Sequence, residues 1–567
     1  MGTSDQIVVC STFPDDIQGK YGAQGASLRE AGEFAWQEFI ALNWPALANK
    51  RDTPDDSKKF GDTSLSGPLV WHTFRGKVEI YPGLYQPERN PPTDNPPPGY
   101  VDSAAKDYGY DAGPAYCYDR PGSGVSASAP KSCALDTNPP WINLDENSQI
   151  FLDQMFAGVV SQNNKLYDDQ VLFMAKANRV EYKYIAGNHW WDGTAPLKAT
   201  SNYIKANNTL PPPGSSQYVS FPAGAVEVKA AWRRLSPTED PSRYYMTKVR
   251  YYVHDAAGKI ESVDTEMALV GLHIIHKTET APYFIYATFE QADNIIKRDG
   301  SFAEDVDGAE INPPDTFFAP EIASINSTSG TTPQQFSFGN FSNVTRNQLY
   351  YLNTPYTGIP VKHFFNSHLQ ESEKILVNKR KHRIPDDIVS VNKLAHAAID
   401  AYTNDKFGKM APRSPWKYYK LVNVQSKPIA GKVASVDYQA SDAATYYQAN
   451  SVIETDYNLQ DFSGRFFAEF KTTDPHKFTI TDYAGAVSGS KKSATEFNNV
   501  LYKNLVSNQI ASVNMGGCMG CHGNVELRGA DFSFILAGGR VHLPDVSGEP
   551  VTSEQVARFV KYFGAHQ

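Results

Sequence analysis

Four strand-like runs follow one another between Gly224 and Glu290, and they constrain the fold more than any other part of this 567-residue chain. "GAVEVKAAWRRL" (224–235), "YYMTKVRYYVH" (244–254), "MALVGLHIIHKT" (267–278) and "APYFIYATFE" (281–290) are divided by turn signals such as "SPTEDPS" and "DAAGK". Such a succession reads as an antiparallel sheet. In the second run Thr247, Val249, Tyr251 and Val253 alternate with Lys248, Arg250 and Tyr252. That alternation marks one buried face and one wetter face. The third run is apolar on both faces and belongs in the centre of the sheet, covered from each side.

Helices are fewer. Ser27-Leu28-Arg29-Glu30 is a capping box, and Leu28, Ala31, Ala35, Phe39 and Leu42 form a stripe before Pro45 stops the helix. A second helix is predicted from Asp387 to Tyr402, with its stripe on Val391, Leu394, Ala395, Ala398, Ile399 and Tyr402. Its polar face would hold His396 in solvent. The Pro/Gly-rich stretch 85–141 reads as an irregular excursion, and the polar run 485–494 as a linker. The predicted class is therefore α+β, with a β-rich, mainly antiparallel body over 1–490 and a small all-α domain over 491–567.

A net charge of −9 with no basic run offers nothing to a phosphate backbone or an anionic membrane. Nucleic acid is excluded as a partner on that ground, and no apolar stretch approaches the ~18 residues of a spanning helix. Cys117 and Cys133 have no metal-ligand spacing and lie in the Pro/Gly-rich excursion, so a disulfide is the simpler expectation. This points to an oxidising compartment, periplasmic or extracellular, reached with a leader since removed. Cys10, in "IVVC", reads as a free or buried thiol rather than a lipid anchor.

The chemistry lies in "MGGCMGCHG" (515–523). Cys-x-x-Cys-His attaches a c-type haem, since two thiols one helical turn apart reach its vinyl groups and the adjoining imidazole becomes the proximal iron ligand. Here these residues are Cys518, Cys521 and His522. No second Cys pair supports a zinc ribbon, and no βαβ context supports a thioredoxin-like pair. Helices are predicted on both sides, one opened by Ser493 to Glu496 and one running from Thr552 to Phe563.

With these features the tail resembles a compact class I cytochrome c domain. It departs from that family in having no Met downstream of the motif, and Met515 and Met519 are too close to cross the ring. The sixth position is left to His542 in "GGRVHLPD", to a histidine from the body, or to an open site. Over most of its length, through "FAWQEFIALNWP" (34–45), "EVKAAWR" (227–233), "GLHIIHKT" (271–278) and "NMGGCMGCHG" (514–523), the chain resembles a set of large bacterial cytochrome c family proteins. That resemblance implies an exported haem protein.

Among the body's candidates, His273 and His276 are three apart on a strand and point to opposite faces, so only one can reach a given pocket. His189 and Arg233 are further candidates for a haem pocket, as a proton acceptor and a polarising cation. Asp305, Asp307 and Glu310 lack the spacing of a calcium loop. No nucleotide, phosphate-loop or serine-nucleophile motif is present. The expected function is a haem-dependent oxidoreductase acting on a small molecule near the ring. The alternative is a bis-His electron-transfer or redox-sensing protein whose body docks a redox partner or polymer.

Overall fold

The computed structural model describes residues 7–19, 22–83, 96–119, 139–146, 171–191, 193, 206, 219–235, 239–295, 302–311, 383–427, 450–453, 517–526 and 530–546. It is an α+β structure dominated by one eight-stranded sheet. The strands are β1 (Arg75–Gly76), β2 (Ile142–Asn143), β3 (Leu172–Ala177), β4 (Val226–Arg233), β5 (Met246–His254), β6 (Ile260–Thr278), β7 (Ala281–Gln291) and β8 (Tyr419–Gln425). Their order is β1-β3-β4-β6-β5-β2, with β7 pairing β6 and β8. Every pairing is antiparallel except β2 with β5.

The sheet curls almost into a barrel. Leu144 N donates to Arg250 O at 2.8 Å and Glu146 N to Phe173 O at 3.3 Å, so the segment leaving β2 bridges β5 to β3. Strand β6 organises the rest. Its first half pairs with β5, and its second half lies between β4 and β7. From Met267 to Thr278 every residue is buried, as expected for a central strand covered on both sides. The strand starts at Ile260 rather than at Met267, because the polar run before Met267 pairs with β5 in a solvent-facing hairpin.

One face of the sheet carries the helices α1 (Leu28–Leu42) and α4 (Asp386–Phe407). The predicted capping box is present: Glu30 N donates to Ser27 Oγ at 3.2 Å and Ser27 N to the Glu30 carboxylate at 2.8 Å. Trp36, Phe39 and Ile40 are fully buried, and Phe39 stacks on Phe289 of β7 at 4.4 Å between ring centroids. Asn392 of α4 ties the layers together. Its Oδ1 accepts from Trp36 Nε1 at 2.8 Å and Leu421 N at 3.1 Å, and its Nδ2 donates to Asp307 O at 2.8 Å and Leu421 O at 3.0 Å.

His396 corrects an expectation. It is buried, with Nδ1 2.6 Å from Asp307 Oδ1 and Nε2 2.7 Å from Tyr419 O. The loop holding Asp307 and the start of β8 cover what the helical pattern left to solvent. In the same loop Asp305 Oδ1 accepts from Asp307 N and Ala309 N, so its carboxylate closes a turn.

Short helices α2 (Lys77–Ile80) and α3 (Arg179–Gly187) flank the other face, with α5 (Gly517–Glu526) and α6 (Phe534–Gly538) from the tail. The tail segments share one apolar cluster with Ile275, Tyr283 and Tyr286 of the body. Val541 N donates to Tyr81 O, Asp119 N to His542 O and Asp545 N to Asp145 O. The linker 485–494 and the predicted helices at 493–505 and 552–563 lie outside the described residues. Among the described residues no helix is long and apolar enough to cross a membrane.

Replacing Asn392 with Leu strands the Trp36 indole N–H and both backbone groups of Leu421 in a dry core. At ~1–3 kcal/mol for each unsatisfied group, we expect a total loss of about 3 kcal/mol or more in urea unfolding, with the m-value unchanged. A loss below ~1 kcal/mol would mean that Asn392 does not tie the layers.

Candidate functional site

The register of the sheet fixes two cross-strand rows on the face opposite α1 and α4. Ala175, Lys229, His273, Thr288 and Asn423 form one, and Ala177, Glu227, Ile275, Tyr286 and Gln425 form the next. These are alternate positions on their strands, so their side chains share a face. A buried face with a Lys, a Glu, a His and two carboxamides has to satisfy them internally. Thr288 Oγ1 lies 2.6 Å from His273 Nε2 and accepts from Asn450 Nδ2 at 3.0 Å. Burial first, and then the Lys229 charge, holds His273 well below the usual histidine value, so its ring is neutral.

The Cys-x-x-Cys-His segment lies on α5, over this floor. Met519 is fully buried in the shared cluster, and its N–H donates to Gln425 Oε1 at 3.1 Å. Cys518 is half-buried. The His522 ring sits between Tyr286, at 4.9 Å, and Phe534, at 4.7 Å between centroids. Its Nδ1 is 2.7 Å from Phe532 O. A carbonyl can only accept, so Nδ1 carries the proton and Nε2 the lone pair. Burial pushes the His522 pKa down to about 4, so the ring is neutral at physiological pH.

Two cysteines and a histidine share one short helix, and the histidine donates its Nδ1–H to a backbone carbonyl.

Phe532 sits in a turn that is held down from several directions. Asp531 and Phe532 have φ of 48° and 64°, the left-handed region. Such positions cost ~1–3 kcal/mol each and persist only where the surroundings enforce them. Asp531 Oδ2 meets Lys277 Nζ at 2.5 Å, with both side chains fully buried, and accepts from Phe221 N at 2.6 Å. Ser533 Oγ accepts from Leu536 N at 2.9 Å and so caps α6.

Two more carboxyls meet behind this turn. Asn178, at the start of α3, fixes both of them. Its Oδ1 accepts from Glu181 N at 3.2 Å and from Val226 N at 3.1 Å, which brings Glu181 to Glu227 on β4. Burial first, then the Glu227 charge, raises Glu181 well above 4.5. Burial raises Glu227 to about 7, against the hydrogen bonds of Ser533 and Glu181.

Of the residues singled out in the sequence, His522, Cys518 and His273 come together on this face. His276 points the other way, as its spacing requires, with Nδ1 2.7 Å from Glu38 Oε1. Arg233 is buried at the far end of β4 against Glu239. His189 is exposed and stacks on Trp191 at 4.7 Å. His542 is also exposed, with Nδ1 2.6 Å from Asp119 Oδ2. Cys10 is a half-buried free thiol that accepts from Gln37 Nε2. Cys117 is fully buried and disulfide-bonded, and Cys133 lies outside the described residues.

Sequence reasoning passed over Lys229, Tyr286, Thr288, Gln425, Lys277, Asp531 and the Glu181–Glu227 pair. Charged residues alternating in "EVK" of β4, a strand buried on both faces, were the available signal. No protein-family model, curated protein or solved structure matches the chain.

Replacing Lys277 with Met leaves Asp531 buried without its cation, which costs ~3–5 kcal/mol. In a denaturation cycle the double variant K277M/D531L is expected to recover at least half of that loss. No recovery would mean that the pair does not hold the turn.

Proposed function

We propose that the chain carries one covalent haem on Cys518 and Cys521, with His522 as proximal ligand, and acts as an exported oxidoreductase on a small molecule at or near the haem. The commitment of His522 Nδ1 to the Phe532 carbonyl carries this reading, because it leaves Nε2 as the only basic atom on a neutral ring. Bound there, haem supplies one-electron chemistry and a place for a small ligand on the iron.

The chain's own residues do the rest. Phe532 O and the rings of Tyr286 and Phe534 fix the His522 ring in orientation, and a hydrogen-bonded carbonyl raises its basicity as a ligand. Lys229 and the His273–Thr288–Asn450 network lie under the motif helix as a polar floor. His273 is held neutral there by burial and is paired with Thr288. The body thus supplies polar groups that a simple carrier of electrons does not need. The bis-His alternative is less well supported, since His542 is held at the surface by Asp119. The disulfide at Cys117 agrees with an oxidising compartment, periplasmic or extracellular.

Matured in a haem-attaching host, the protein should show a high-spin ferric spectrum and bind carbon monoxide when reduced. His542→Ala should leave both unchanged, while C518A/C521A should abolish covalent attachment. A low-spin, ligand-resistant spectrum that becomes high-spin in H542A would replace this reading with bis-His electron transfer. Absence of covalent haem would end both.

A further inference from the structure

We infer that Glu181 and Glu227 form a proton-operated latch on the Asp531–Ser533 turn: one shared proton seats the turn against the sheet, and its loss lets the turn lift, withdrawing the Phe532 carbonyl from His522.

Four observations carry this. First, the two carboxyls are buried, at 0% and 3% exposure, and interact with each other. Ser533 lies close enough to act on both carboxyls, but neither oxygen of Glu181 nor Oε1 of Glu227 has a donor in full hydrogen-bond geometry among the described residues. Two carboxylates that meet in a dry site cannot both be charged, and a single proton between them removes one charge and supplies the missing donor.

Second, the groups that face the pair do not neutralise it. Asp531 acts on both carboxyls and Glu146 on Glu227, and each adds negative charge. Lys277 is engaged by Asp531, and Ser533 offers only a hydroxyl. Third, the pair bears on the turn directly, through Ser533 and the Asp531 charge. Fourth, the turn holds two consecutive non-glycine residues in the left-handed region, a conformation that persists only while its surroundings enforce it.

The direction follows from linkage. A carboxyl that keeps its proton in the folded state above the unfolded value of 4.5 contributes fully below that value. Its contribution is lost as pH rises through the folded value, about 7 for Glu227. The proton goes to solvent and leaves two adjacent carboxylates, whose repulsion falls on Ser533 and Asp531.

The inference goes beyond the proposed function and depends on the geometry of the site, not on haem. The test uses the full chain. Amide exchange of residues 530–538, corrected for intrinsic rates, is followed from pH 5 to pH 8.5 in the wild type, E181Q and E227Q. Protection in the wild type should fall at least about tenfold across this range, and the fall should be lost in E227Q, whose amide donates without ionising. E181Q gives the same readout should E227Q not fold. In the unaltered protein, the infrared C=O stretch of protonated carboxyl should disappear with a midpoint near neutrality. Protection independent of pH, an unchanged fall in both variants, or no carboxyl band titrating near neutrality would each overturn the latch. Failure to attach haem would not.

Discussion

Strand β6 is buried on both faces from Met267 to Thr278, and covering those faces shapes the rest of the molecule. The two coverings differ in kind. On one side α1 and α4 lay aromatic and aliphatic side chains over the sheet, and the hydrophobic effect suffices, at ~25 cal/mol for each Å² removed from water. On the other, β4, β6, β7 and β8 present Lys229, Glu227, His273, Lys277, Thr288 and Gln425 to the interior. Apolar cover alone over such a face would leave unpaired donors and charges. The tail meets part of this need by bringing Asp531 to Lys277 and the Met519 N–H to Gln425.

The described part of the tail packs directly on the sheet. Here Met519, Val525, Phe532 and Leu536 share a cluster with Ile275, Tyr283 and Tyr286 of the sheet. The large body supplies the floor beneath the motif. That floor is polar, and polar groups in a dry site act more strongly than they do in water.

What could be read from the sequence follows the strength of each local signal. The capping box of α1 is a rule of one element and appears where the pattern placed it; the alternation expected in β5 does not hold, because Arg250 and Tyr252 are buried beside Val249 and Tyr251, tied to Asp264 and Asn143. Strand β3 carries no such signal, since "LFMAKA" is buried almost throughout and shows no period of two. His396 was misread for a related reason. A helical wheel sees only the helix's own residues, and the Asp307 loop that buries the ring lies 89 residues away. The motif was legible through fixed spacing. The Glu181–Glu227 pair was not, because Asn178 and strand register bring those residues together, and neither leaves a trace in local sequence.

The His522 imidazole connects these levels. Its tautomer depends on the Phe532 carbonyl, and that carbonyl depends on a turn whose backbone would not adopt its angles unaided. The turn is held by one fully neutralised ion pair, Lys277–Asp531, and by one carboxyl pair that is neutralised only while it keeps a proton. The carboxyl pair changes charge as pH rises through neutrality, whereas His522, held down to about 4 by burial, stays neutral in that range.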